Sequence, residues 1–267
     1  VIKSIKDVIG YIGEIYNSRQ LLFNLTSKEL KLKYRNSVLG FLWSFLNPIL
    51  MLFVYTFAFK LIMRQATPNF TVFLLCGLLP WNFFAAGVMG STTSIIGNAN
   101  LIKKVYFPRE IIPLSIIFSN FVNFVITLLI LFVAVIVSGL HIGLPLVMLP
   151  VVLLLILGFT VGLSLILSSL NVLYRDISHL VEVIFNLWMY LTPVVYPLTL
   201  LNNHAVFKRL IMLNPMTLVV ECMRSILYTD TFPYYLYILA LIIIDFVLIF
   251  FGFRLFRKIE VVFAEEI

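Results

Sequence analysis

Residues 111–174 run for 64 positions without one Asp, Glu, Lys or Arg. A soluble domain of this size would carry charge at about a quarter of its positions. A helix crosses a bilayer with roughly 20 apolar residues, so this run is long enough to cross twice. The turn between the crossings is visible at Ser138-Gly139-Leu140-His141-Ile142-Gly143-Leu144-Pro145. The chain reads as an all-α, polytopic membrane protein. Its composition of 62% hydrophobic and 12% charged residues agrees.

Charge-poor windows place six expected spans in one transmembrane domain over residues 1–267: 36–59, 70–97, 111–137, 145–170, 180–196 and 231–253. An even number puts both termini on one side. Of the 19 Lys and Arg residues, fourteen fall on the side of the termini and five on the other, which orients both termini toward the cytoplasm. Lys3, Lys6, Asp7 and Glu14 interrupt any signal-peptide core, so no cleavable leader is expected.

Two segments fit no span. In 4–34, Ile5, Val8, Ile9, Ile12, Ile15 and Tyr16 recur at helical spacing, the pattern of an amphipathic helix lying on a membrane surface. Thr26-Ser27-Lys28-Glu29 has the form of a capping box, predicting a second helix that starts near Ser27 and runs into the first span. Residues 197–229 stay half apolar on the outer side, with Asn214-Pro215 between two short helical stretches. They read as re-entrant or interfacial helices, tolerated at membrane depth where protein buries them or a cavity is lined.

Much chemistry is missing. There is no Gly-x-x-x-x-Gly-Lys-Ser/Thr loop to cradle nucleotide phosphates. His141, His179 and His204 lack metal-ligand spacing, and the four aspartates form no Asp-x-Asp pair. No catalytic residue, metal ligand or cofactor site is expected in this chain. Cys76 and Cys222 read as small packing residues. The net charge of +7 sits at helix ends, where topology explains it better than nucleic acid does. Asp245, within the sixth span, has to face protein or water; a packing role is favoured over a transport path.

Three sets of residues carry the functional expectation. The loop 98–110 joins two spans yet holds Leu101, Ile102, Val105, Tyr106 and Phe107 among its charges. A short amphipathic helix ended by Pro108 fits a groove on a soluble partner or rests on lipid. The aromatics Trp43, Tyr55, Trp188, Tyr190 and Tyr196 suit a wet path, because each has a polar edge, or the lipid interface. Lys31, Lys33 and Arg35 stand at the mouth of the first span, where topology anchoring is one account of them.

Four stretches resemble the membrane (permease) subunits of ATP-binding-cassette polysaccharide exporters, the O-antigen, capsule and teichoic-acid family. They are Glu29-Leu30-Lys31-Leu32-Lys33-Tyr34-Arg35-Asn36 through Trp43 to Pro48; Asn100 through Arg109; Asn171-Val172-Leu173-Tyr174-Arg175-Asp176-Ile177; and Asn214-Pro215-Met216-Thr217 followed by Arg224. The resemblance implies a non-catalytic half-transporter in a bacterial inner membrane: two copies of this chain with two separate ATPase subunits that bind ATP and Mg. It implies that 98–110 is the coupling helix, with Asn100, Leu101, Lys103, Lys104, Tyr106, Phe107, Pro108, Arg109 and Glu110 contacting the ATPase, alongside Arg175 and Asp176. It also implies that 4–34 forms interface or gate helices and that 197–229 closes the exit. The implied substrate is a polysaccharide on a polyprenyl diphosphate lipid, whose diphosphate Lys31, Lys33 and Arg35 would attract by charge if they are more than topology anchors. Rival functions are export of a capsular polysaccharide, small lipid or drug, a membrane-embedded transferase, and a passive channel. A transferase needs clustered acids, and a channel leaves the amphipathic loop unexplained.

Overall fold

The structure is a computed structural model in which residues 13–14, 16–35, 37–58 and 67–266 are described. The amphipathic pattern of residues 4–12 lies outside them. The regular elements among the described residues are helices: α1 (Arg19–Tyr34), α2 (Trp43–Thr56), α3 (Phe70–Thr92), α4 (Ser94–Gly97), α5 (Ala99–Lys104), α6 (Ile111–Val137), α7 (Leu149–Leu173), α8 (Ile177–Leu191), α9 (Ala205–Met212), α10 (Pro215–Leu227), α11 (Tyr235–Glu260) and α12 (Phe263–Glu266), with short 3-10 turns between some of them.

Among the described residues, four helices are long and apolar enough to cross a bilayer: α3, α6, α7 with its 3-10 lead-in from Leu144, and α11. The α9–α10 pair is bent by 91° and makes a fifth only if counted as one broken span. The described residues therefore give four or five of the six expected spans by length and composition. The fifth expected span is a helix of 15 residues, which reaches about 23 Å against a hydrocarbon core of about 30 Å; of the first, α2 gives 14 residues among those described. Helix α8 begins at Ile177 and stops at Leu191 because Pro193 drives Thr192 into extended backbone (φ −99°, ψ 133°). A charge-free window cannot register that stop. Helix α2 leads into residues 59–66, outside the description.

The N-terminal expectation also changes. Helix α1 runs unbroken through Thr26, whose hydroxyl donates to Leu22 O at 2.7 Å instead of capping a new helix. Nor does α1 continue into α2. Arg35 is extended, and a 3-10 turn at Gly40–Leu42 follows, entered through Gly40 at φ +48°. At the far end, α11 continues seven residues past Phe253 to Glu260, since Arg254, Arg257 and Lys258 end a hydrophobic window without ending a helix.

Helix α3 is the centre of the bundle. Its spanning window is 78% buried, against 22–39% for the other three long helices; α6, α7 and α10 surround it. Helices α7 and α11 cross in close contact through glycines: a Cβ on Gly252 would lie 2.7 Å from Gly162 O. Small residues let helix backbones approach where lipid supplies no hydrophobic drive. Asp245 sits in this seam, 7% exposed, in space left by Gly158, where a Cβ would fall 2.8 Å from Oδ2.

Candidate functional site

The 98–110 loop is half surface and half anchor. Helix α5 ends at Lys104, four residues before Pro108, because β-branched Val105 turns extended (φ −132°, ψ 137°). The expected helix ended by Pro108 is therefore one short turn-and-a-half followed by extended chain. Asn100, Lys103, Lys104, Val105 and Tyr106 face outward, and Tyr106 is fully exposed at 101%. Ile102 and Phe107 are buried in a cluster with Phe253, Phe256 and Phe263. Leu101 and Pro108 lie between these extremes.

Arg109 and Glu110 turn inward. Glu110 is 0% exposed and pairs with Arg257 of α11. Arg257 also reaches Glu14 at 3.0 Å and Glu260 at 3.4 Å. Arg109 donates to Glu260 O at 2.6 Å and lies over the Phe263 ring at 5.9 Å. Burial raises the Glu110 carboxyl to about 7, and the Arg257 charge opposes that rise. Two guanidiniums and three carboxylates thus tie Glu14, the loop and the end of α11 into one block. Breaking a buried pair by removing one partner costs about 3–5 kcal/mol, so this block is stiff. Arg175 and Asp176 are exposed at the start of α8 and, among the described residues, do not join it.

The basic candidates of α1 separate. Lys33 and Trp43 line a cavity of about 770 Å³ with Asn47, Asn82, Asn120 and Asn123. Lys33 Nζ donates to Asn120 Oδ1 at 3.2 Å, and desolvation there lowers its pKa. Lys31 and Arg35 border a separate hollow of about 430 Å³ with Asn24, Ser27 and Lys28. The aromatic candidates separate as well. Tyr55 packs half-buried on the core, and Tyr190 is 74% exposed. Tyr196 donates to Tyr190 O at 3.1 Å. Trp188 packs its ring 5.3 Å from Phe84 and 5.4 Å from Phe185.

At the opposite end, the Asn214 motif is a lock. Asn214 Oδ1 accepts from Trp188 Nε1 at 2.9 Å and from Met216 N at 3.0 Å, while its Nδ2 donates to Thr192 at 2.8 Å. Arg224, 4% exposed, donates to Val194 O at 2.9 Å and sits 3.6 Å over the Phe73 ring. These contacts seat the bent α9–α10 pair on α3 and the end of α8.

Sequence reasoning missed Glu14, Arg257 and Glu260 as partners of the loop, and the asparagines of the cavity. Arg257 counted only toward topology, and nothing in the pattern of α11 marks it as facing Glu110. The asparagines did carry a signal, as polar residues inside apolar windows.

The sequence matches the family model described as ABC-2 type transporter over residues 20–228. It is 37% identical over 260 residues to the O-antigen export system permease protein RfbA of Myxococcus xanthus, covering 97% of this chain and 100% of that one. Two proteins of the same description from Klebsiella pneumoniae are 36% and 37% identical over 263 residues, 96% of each chain.

Proposed function

This chain belongs to the ABC-2 type transporter family, and on that premise we propose that it is the permease subunit of an ATP-driven O-antigen-type polysaccharide exporter. Its relatives of nearly equal length carry that description. The working unit is two copies of this chain with two ATPase subunits, which hold ATP and Mg and perform the hydrolysis. The chain lies in the bacterial inner membrane with both termini cytoplasmic, and α2 and α8 complete six crossings. The substrate is a glycan on a polyprenyl diphosphate carrier, its phosphates drawn by Lys31, Lys33 and Arg35. Tyr55, Tyr190 and Tyr196 line the glycan path where two copies meet; the same mechanism serves a capsular or teichoic-acid glycan.

One observation carries this reading: an exposed basic and aromatic ridge, Asn100 to Tyr106, standing on a buried ion-paired base. A connecting loop needs neither part. A docking element needs both, because a push received at Tyr106 has to reach the helices without being lost in the loop. Here Phe107 and Glu110 lead directly into α6, and α4 leads back into α3. ATP-driven closure of the two ATPases moves the ridge; α3 and α6 carry the motion, and α2 and α8 shift around the glycan.

The test uses Lys103→Glu with Lys104→Glu, and separately Tyr106→Ala. These variants are expected to lose the co-purifying ATPase and glycan export while keeping the wild-type melting profile. Normal ATPase recovery and normal export in both would overturn the proposal.

A further inference from the structure

Helix α3 is the most buried long helix, yet it exposes Asn82 and Ala86, one turn apart, and both open on the same cavity. Opposite them α6 presents Asn120 and Asn123, and α2 adds Asn47. Four asparagines from three helices therefore converge on about 770 Å³, within the range of small-ligand sites. Asn120 bonds within the protein, its Nδ2 donating to Ile116 O at 2.9 Å and its Oδ1 accepting from Lys33, which fixes the rim of the cavity. Polar residues in apolar helices concentrate where a ligand or an aqueous path demands them, and Asn47 and Asn82 line the cavity beside that rim.

The lining also states a chemistry. Carboxamides both donate and accept and carry no charge, which matches the hydroxyl and acetamido groups of a sugar ring. A purely anionic ligand would call for more cations, and only Lys33 supplies one, at the α1 edge. Trp43 adds an aromatic face for the apolar side of such a ring. We infer that this cavity binds the sugar bonded directly to the carrier's phosphate, its asparagines pairing with the sugar and Lys33 facing the phosphate. The inference rests on the exporter reading above and adds to it: the permease recognises one sugar, in a pocket of its own, apart from the path of the polymer.

The experiment uses the complete transporter with its ATPases in phospholipid nanodiscs. Two probes are compared: a polyprenyl diphosphate carrying one N-acetylhexosamine, and the same lipid with no sugar. Wild type is expected to bind the sugar-bearing lipid about tenfold more tightly, the worth of one or two net hydrogen bonds. Asn82→Leu with Asn123→Leu is expected to erase that preference and leave binding of the sugarless lipid unchanged. The alanine pair, which adds no bulk, gives the same readout if leucine hinders assembly. Asn82→Gln, which keeps an amide, retains part of the preference. A preference that survives both pairs overturns the inference, as does an equal loss for both lipids. Equal binding of the two lipids by wild type overturns this inference alone, whereas binding of neither overturns the exporter reading with it.

Discussion

The two ends of the bundle are held by opposite kinds of chemistry. At the end that carries the 98–110 loop, Arg257 and Arg109 are set among Glu14, Glu110 and Glu260. At the other end the joints are chiefly amide and aromatic: Asn214 against Trp188 and Thr192, and Arg224 lying on Phe73 while pairing with Glu221 of its own helix at 3.0 Å. A surface pair, His141 with Asp230 at 2.6 Å, ties two turns there. Buried ion pairs are stiff while intact and costly when one partner goes. Amide and aromatic joints hold a bend in place with smaller, more separable contributions. The charged end is built to act as one body, and the neutral end to hold the bent α9–α10 pair in position.

That contrast can be broken from its strong side first. Arg257→Ala leaves Glu110 buried without its partner and is expected to cost about 3–5 kcal/mol, read as a fall in Tm of the purified chain at pH 8. Replacing the pair together, Glu110→Leu with Arg257→Leu, is expected to recover most of the loss, because desolvation of both charges is also removed. If the double variant melts as low as the single one, the block owes its strength to something other than this pair. On the neutral side, Trp188→Ala removes a ring packed among Phe84, Phe185 and Trp81 and is expected to cost about 3 kcal/mol. Asn214→Ala is expected to cost about 2 kcal/mol, chiefly from the indole N–H and the Met216 N–H it leaves without their acceptor.

A smaller, pH-dependent effect distinguishes the ends again. Burial raises the Glu110 carboxyl from its ordinary 4.5 to about 7. The folded state therefore holds that proton more tightly than the unfolded chain does. The stabilisation is complete below pH 4.5 and is lost as pH rises through 7. Glu110→Gln, neutral throughout, should flatten the Tm profile across that window; an unchanged slope would assign it to another group. The smallest expected change in stability is that of Lys103→Glu with Lys104→Glu, within about 0.5 kcal/mol for exposed positions. The proposed function assigns its effect to ATPase docking instead.

The legible parts of this protein were those set by local rules. A bilayer requires long uninterrupted apolar stretches, so the 64-residue charge-free run announced α6 and α7, and the bend at Asn214-Pro215 was visible because proline opens helices and cannot continue them. Where a local rule admits two outcomes, the pattern misled. Thr26-Ser27-Lys28-Glu29 fits a capping box, yet a threonine hydroxyl inside a helix also finds a carbonyl four residues back, and that is the bond it makes. Proline positions two residues beyond α8 and four beyond α5 were in plain view, but the hydropathy of the surrounding window outweighed them.

The sequence by itself determined the class of the protein: apolar runs too long for a soluble core, basic residues gathered at their ends, and a loop with more apolar residues than a simple connection needs. Those properties depend on composition within a window, so no fold is needed to read them. Only the tertiary structure decided which charges meet. Arg109 and Glu260 stand 151 residues apart, and Arg257 and Glu14 stand 243 apart. Likewise Asn47, Asn82 and Asn123 share a cavity only because α2, α3 and α6 pack side by side. Pairing across such distances is set by helix packing, a property of the whole bundle that no stretch of sequence contains.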